Sequence, residues 1–339
     1  MAHRVVIVGG GAAGMQTALE LKARGVEPII VERDIELGGK ARGWHKLFPT
    51  FTPAAEVMRP IISRIREERI RCFYGQDVTE IAADGVVLRS GERIPGDAVV
   101  VATGFSIFDA HRKQEYGYGL YDNVITSVDL ERMMSSGRVL LADGSEPRRI
   151  AILHCVGSRD EKVDQRHCSK VCCITGVKQA IELRRMFPEA DIFNFYMDIR
   201  MFGPGYEELY RAAQQDYNVH FIRGRISEAA ETIGKRIQIK AEDTLTGRPL
   251  RMTVDMLVLL VGMSANYENC NLAQSADIPL ASNGFFATRD SFLGSVRSQR
   301  DGIFFAGAAT APKSLADTLA EASLTASAVC DYLRNRYNG

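Results

Sequence analysis

The chain has 339 residues, 46% hydrophobic and 25% charged, and its Lys+Arg and Asp+Glu counts are equal at 42, giving zero formal net charge. That length accommodates two domains with proper hydrophobic cores, and the balanced charge offers no footprint for nucleic acid or an anionic membrane surface. No apolar run is long enough to span a bilayer and no signal peptide precedes the first strand, so a cytoplasmic protein is expected.

Arg4 to Val8 is an apolar, β-branched run followed by Gly9-Gly10-Gly11-Ala12-Ala13-Gly14 and a helical stretch from Met15 to Arg24. A second strand, Pro28 to Val31, ends on Glu32. Strand, glycine loop, helix, strand and acid at this spacing form the order a dinucleotide-binding unit requires. Gly9 permits the tight turn, Gly11 lets the backbone approach a pyrophosphate, and Gly14 lets helix and strand pack closely. The helix N-terminus offers N–H groups and partial positive charge to the phosphates. Glu32 is placed to accept hydrogen bonds from the adenosine ribose hydroxyls.

The chain then reaches Leu37-Gly38-Gly39-Lys40-Ala41. In flavoproteins with two dinucleotide domains such a glycine pair lies along FAD, which favours FAD over NAD. Ala98 to Val101 reads as a buried strand ending in Ala102-Thr103-Gly104. Near the C-terminus, Gly302 to Gly307 reads as a strand running into a turn, with a helix from Ala316 to Leu333. Comparable flavoproteins carry an acid after that last glycine. Here the position is Ala308, so one carboxylate contact to the ribityl chain is expected to be missing.

A second βαβ unit follows the first. Arg149 to His154 supplies its first strand, and Gly176-Val177-Lys178-Gln179-Ala180-Ile181-Glu182-Leu183 echoes Gly14-Met15-Gln16-Thr17-Ala18-Leu19-Glu20-Leu21. Asp191 to Tyr196 is its second strand. The connection differs. Cys155 to Thr175 contains no Gly-x-Gly-x-x-Gly, so a nicotinamide dinucleotide would lose its phosphate cradle and is not expected to bind in the usual way.

The seven cysteines are not read as a disulfide framework. Cys72, Cys270 and Cys330 are scattered and read as small hydrophobes. Cys155, Cys168, Cys172 and Cys173 share one segment, at the end of a strand and the start of a helix, with spacing Cys-x12-Cys-x3-Cys-Cys. Four thiolates there can hold an iron–sulfur cluster or zinc. The spacing is neither that of a zinc ribbon nor that of the ferredoxin run. Adjacent cysteines bind together only if the backbone turns between them, which favours a bulky cubane over one ion. A vicinal redox disulfide of Cys172 and Cys173, a zinc site and an unliganded set remain alternatives; a flavin in the same chain favours the cluster. His154 and His167 read as packing or hydrogen-bonding residues.

The runs Cys155-Val156-Gly157-Ser158-Arg159-Asp160 and Cys168-Ser169-Lys170-Val171-Cys172-Cys173 resemble the A-type subunit of heterodisulfide reductase. They are most similar to the short form found in the heterodisulfide-reductase-like complexes of sulfur oxidisers. Phe48-Pro49-Thr50, Gly117-Tyr118-Gly119, Asn123 to Ser127, Phe221 to Arg225 and Ala311-Pro312-Lys313 extend the resemblance over essentially the whole chain. It implies an α/β, thioredoxin-reductase-like flavoprotein with two Rossmann-like dinucleotide-binding domains. Residues 1–115 and 276–339 would form the FAD domain, and 116–275 the second domain with its cysteines.

The resemblance further implies FAD and a [4Fe–4S] cluster on Cys155, Cys168, Cys172 and Cys173. The residues assigned to FAD are Gly9, Gly11, Ala13, Gly14, Glu32, Arg33, Gly39, Lys40, Val78, Ala102, Thr103, Gly104, Gly307, Ala308 and Lys313. Lys178 corresponds to a family lysine that approaches the flavin isoalloxazine, where an ammonium stabilises negative charge on the reduced ring; by position alone it reads as a solvated helix-face residue. Lys313 is a weaker candidate of the same kind.

Long family members carry additional ferredoxin-like cysteine runs that this chain lacks, which argues against an internal cluster relay and against electron bifurcation within it. The expected function is an oxidoreductase electron-transfer subunit in cytoplasmic sulfur oxidation or thiol/disulfide metabolism. Its expected partners are B- and C-type subunits, with a lipoate-binding protein as an indirect partner, and a homodimer is expected by analogy. The runner-up is an NAD(P)H-dependent disulfide reductase using Cys172 and Cys173 as its dithiol.

Overall fold

Val5, Val6, Ile7 and Val8 are β-branched and buried, and such a run is stable only as a strand covered on both faces. In the computed structural model, which describes residues 3–337, Arg4–Val8 is the central strand of a parallel five-stranded sheet. The sheet order is Ile303–Phe305, Ala98–Val101, Arg4–Val8, Glu27–Val31 and Arg71–Phe73. Register places Val8 opposite both Val31 and Val101, and Val101 opposite Phe305. The four carboxyl ends therefore finish level, and the loops that follow them emerge on one edge, where open α/β sheets bind ligands.

This sheet belongs to a unit made of Met1–Gly43, Ala54–Ser106 and Ser264–Gly339. Its helix Ala12–Ala23 packs against the C-terminal helix Leu315–Tyr337. Close packing explains Gly14: a β-carbon there would lie 1.9 Å from the Gly9 carbonyl oxygen. Gly14→Ala is accordingly expected to push the glycine loop off its strand and to yield protein purified without flavin, read from its visible absorption. A small antiparallel sheet, Val78–Ala82, Gly85–Leu88 and Arg93–Pro95, contributes Ile81, Val86, Leu88 and Ile94 to the same core as Val6, Val8 and Val99.

The second unit comprises Trp44–Pro53 and Ile107–Met263. It repeats the plan with a parallel sheet ordered Val124–Thr126, Met256–Val261, Arg149–Val156, Asp191–Tyr196 and His220–Arg223. The doubled dinucleotide-type unit expected from the internal repeat is thus present. The strand and helix that flank the cysteines are both longer than the repeat indicates. The strand continues through Cys155 to Val156, and the helix starts at Cys172 rather than near Gly176. A register shift between Leu153 and Val156 opposite Met256–Val261 marks a bulge, and Cys155 within it adopts a φ of +61°. Among the described residues, no helix is long and apolar enough to cross a membrane.

Candidate cofactor and cysteine sites

In the first unit, the Ala12–Ala23 helix begins at Gly11 with no side-chain cap and no acid in its first turn. Its leading N–H groups therefore remain available to an anion. Gly11 and Gly38 form a bridge between the two glycine loops, and a β-carbon at Gly39, whose φ is +54°, would lie 3.1 Å from the Gly11 Cα. Ala13 lies in that same first turn.

Glu32 is buried and accepts from the Gly10 N–H at 2.6 Å and the Asp34 N–H at 2.8 Å. A carboxylate offers about four acceptor positions, so capacity remains for ribose hydroxyls. The Ala102 carbonyl presses on Gly9, the Thr103 hydroxyl is buried without a partner, and Gly104, at φ +71°, has nothing within 4 Å of its β-carbon position. An orphaned buried hydroxyl beside an open glycine turn is a polar group prepared for a ligand. The donor and acceptor set along this edge fits the pyrophosphate and ribose of FAD.

The remaining assigned residues divide. The Lys40 ammonium lies 5.1 Å from the Phe105 ring centroid, and burial followed by repulsion from Arg33 lowers its pKa. Arg33 reaches outward to Glu268 at 3.1 Å. Val78 packs, half-buried, against the hydrophobic core from the small antiparallel sheet. Gly307, at φ +69°, turns the chain after Ile303–Phe305, with Ala308 buried behind it. Lys313 Nζ donates to the Gly307 carbonyl at 3.0 Å and to Thr310 Oγ1 at 2.7 Å.

In the second unit, Cys155 is buried at its bulge, while Cys172 and Cys173 are buried in the first turn of the Cys172–Met186 helix. Cys168, less buried, accepts from the Lys170 N–H at 3.4 Å. Cys173 Sγ accepts from the Arg200 N–H at 3.4 Å. The helix start brings N–H groups and partial positive charge towards sulfur, which stabilises thiolates once they ligate.

The four sulfurs are close enough to influence one another. Burial followed by the neighbouring Cys173 raises the Cys155 thiol to about 11, and burial followed by Cys155 raises Cys172. Burial likewise raises Cys173, against the Arg200 N–H. Among the described residues, however, no three His, Cys, Asp or Glu side chains converge tightly enough to hold one metal ion. Zinc needs its sulfurs about 2.3 Å from a common point, whereas an iron–sulfur cubane spreads its thiolates over several irons. The four cysteine sulfurs are a donor set that either an iron–sulfur cluster or zinc takes.

The loop carrying these cysteines is fixed by close packing against Gly262. A β-carbon at Gly262 would lie 2.4 Å from Ser158 Oγ, 2.6 Å from the Gly157 carbonyl oxygen and 2.7 Å from Ser169 Oγ. Ser158 and Ser169 hydrogen-bond each other, and Ser169 Oγ accepts from the Met263 N–H at 2.8 Å. Gly262→Ala is expected to displace this loop and lower thermal stability while FAD content stays unchanged, and, if these cysteines hold a cluster, to lower the iron retained per chain.

Asp160, buried in the same loop, pairs with buried Lys113 at 2.8 Å and with Arg225. Burial alone would raise the Asp160 carboxyl, but hydrogen bonds from Lys113 and Arg225 outweigh it and hold the pKa below the usual range. His154 contacts Asn194 at 2.8 Å; burial pushes its pKa down to about 4, against the Asn194 hydrogen bond, so it is neutral at pH 7. His167 Nε2 lies 2.8 Å from the Met263 carbonyl oxygen.

Lys178 is not on a solvated face. It is 1% exposed and surrounded by Glu131 Oε1, Glu182 Oε2 at 3.0 Å and the Lys46 carbonyl at 3.1 Å. Gln179 also donates to Glu131, at 2.7 Å, and the His45 N–H donates to it at 2.9 Å. The i,i+4 spacing of Lys178 and Glu182 is readable in sequence; the contribution of Glu131, 47 residues away, is not.

Residues 3–324 match the family described as pyridine nucleotide-disulphide oxidoreductase. The A-type iron–sulfur subunit of the CoB–CoM heterodisulfide reductase of Methanocaldococcus jannaschii is 31% identical over 417 aligned positions, covering 96% of this chain and 63% of the relative. The A-type subunit of the H2/formate:CoB–CoM heterodisulfide,ferredoxin reductase of Methanococcus maripaludis is 43% identical over 240 residues, covering 68% of this chain and 36% of the relative. The chain thus spans less than two thirds of the length of these relatives. In fold it is similar to Lactococcus lactis thioredoxin reductase, with a TM-score of 0.69, 17% identity, and coverage of 98% of this chain and 99% of that one. The chain belongs to the pyridine nucleotide-disulphide oxidoreductase family, with a thioredoxin-reductase-like fold, and is homologous to the A-type subunits of heterodisulfide reductases.

Proposed function

We propose that this oxidoreductase is an FAD- and [4Fe–4S]-containing electron-transfer subunit of a heterodisulfide-reductase-like complex. The observation that carries the proposal is the gathering of Cys155, Cys168, Cys172 and Cys173 at the strand–helix junction where the first unit has its glycine loop. When bound, FAD supplies exchange between two-electron and one-electron chemistry, and the cluster supplies one-electron conduction. The chain's own residues supply the rest. The open helix N-terminus at Gly11 and the Glu32 carboxylate hold the dinucleotide. Arg159, Arg223 and Arg200 surround Asp198 at 2.7, 3.6 and 4.0 Å, leaving positive charge to offset cysteine thiolates. Lys178, which the resemblance assigns to the flavin, is held within the second unit between the Glu131 and Glu182 carboxylates.

The reading extends to B- and C-type partner subunits that carry out thiol or disulfide chemistry, to cytoplasmic sulfur oxidation with a lipoate-binding protein as an indirect partner, and to a homodimer. The rival, an NAD(P)H-dependent disulfide reductase, needs an accessible, activated dithiol. Cys172 and Cys173 are buried, and burial raises both thiols, the opposite of what an attacking thiolate requires. Anaerobic reduction separates the two. The proposal expects a low-potential one-electron donor to reduce the flavin readily and NAD(P)H to do so poorly. Fast bleaching by NADPH in iron-free protein would establish the rival.

A further inference from the structure

The C-terminal helix returns a carboxylate to the turn at Gly307. Glu321, its side chain 15% exposed, accepts the Gly307 N–H at 2.7 Å through Oε2. Its Oε1 lies 3.3 Å from Lys313 Nζ, which donates to the Gly307 carbonyl oxygen at 3.0 Å. One ion pair therefore holds both the N–H and the carbonyl of a single glycine. That glycine abuts the helix that opens at Gly11: a β-carbon on Gly307 would lie 2.7 Å from the Ala13 Cβ and 3.1 Å from Thr318 Cγ2. Burial, partly offset by Lys313, raises the Glu321 pKa, so the group is costly to keep ionised without a role.

We infer that Glu321 is a positioning residue of the FAD site, taking over from the C-terminal helix the work of the acid absent at Ala308. Its carboxylate sets the Gly307 turn and the Lys313 ammonium beside the uncapped first turn of the Ala12–Ala23 helix. The inference rests on the assignment of FAD to this edge. Position 321 carries no motif that would reveal this role. It falls in the small-residue run Ala320-Glu321-Ala322, and only the fold brings it back to residue 307.

The test is FAD affinity of the full-length apoprotein, measured by flavin fluorescence quenching, for wild type, Glu321→Gln, Glu321→Ala and the double variant Glu321→Ala/Ala308→Asp. Apoprotein melting temperature serves as the folding control. Both single variants should lose about 10- to 100-fold in affinity, the range for a hydrogen bond to a charged group. The double variant should regain most of that loss, a rescue that a merely structural helix contact would not show. Wild-type affinity in Glu321→Ala, or a defect that Ala308→Asp leaves unchanged, overturns the inference. If the wild-type apoprotein takes up no FAD, the assignment of the cofactor itself falls instead.

Discussion

Cys172→Ala should yield a protein that keeps its FAD and loses its iron. Cys172 is buried in the first helical turn, and its thiol senses Cys155, Cys173 and Cys168. On the proposed reading, Cys172→Ala removes one of the four cysteine ligands of the cluster. Iron should fall from about four atoms per chain to well below one, with acid-labile sulfide falling alongside. The stability cost of the missing sulfur itself is small, on the order of 1 kcal/mol for removing one buried heavy atom. Cys72→Ala and Cys330→Ala, outside the group, should retain full iron. Loss of FAD together with iron in Cys172→Ala would show that the two sites are not separable, against their placement in different units.

A second large effect is expected at Lys178. Removing one partner from a buried ion group leaves uncompensated charge, which costs about 3–5 kcal/mol. In Lys178→Met, Glu131 and Glu182 would both lose the ammonium between them. For a protein of this size that corresponds to a melting temperature lower by about 4–7 °C. Adding Glu131→Gln and Glu182→Gln should recover a substantial part of the loss, because the unpaired charges go with the lysine. If Lys178→Met changes only the flavin spectrum and leaves thermal unfolding untouched, the ammonium is not the centre of this ion group.

Much of the architecture was legible because its signals are local. Val5 to Val8, the glycines at 9, 11 and 14, and Glu32 are consecutive or nearly so, and each is dictated by strand burial, turn geometry or phosphate approach. The repeat of Gly14 to Leu21 in Gly176 to Leu183 likewise announced the second sheet. The cysteine junction was legible in composition but not in detail. The extension of the strand through Cys155 depends on a bulge opposite Met256–Val261, a pairing between segments about a hundred residues apart.

What sequence hid were the long-range charges. Lys178 looked solvated because helix position does not reveal that Glu131 and the Lys46 carbonyl close over it. Asp160 stood inside a recognisable motif, yet its partners Lys113 and Arg225 come from separate segments. Glu321 escaped for the same reason, since its target at Gly307 is reached only after the last helix turns back.

The most direct test of the account is the visible spectrum of anaerobically purified wild-type protein, taken with iron and acid-labile sulfide analysis. The account predicts flavin bands over the broad absorption of an iron–sulfur centre, with about four irons and four sulfides per chain. Flavin bands alone, with negligible iron and sulfide after anaerobic preparation, would contradict it.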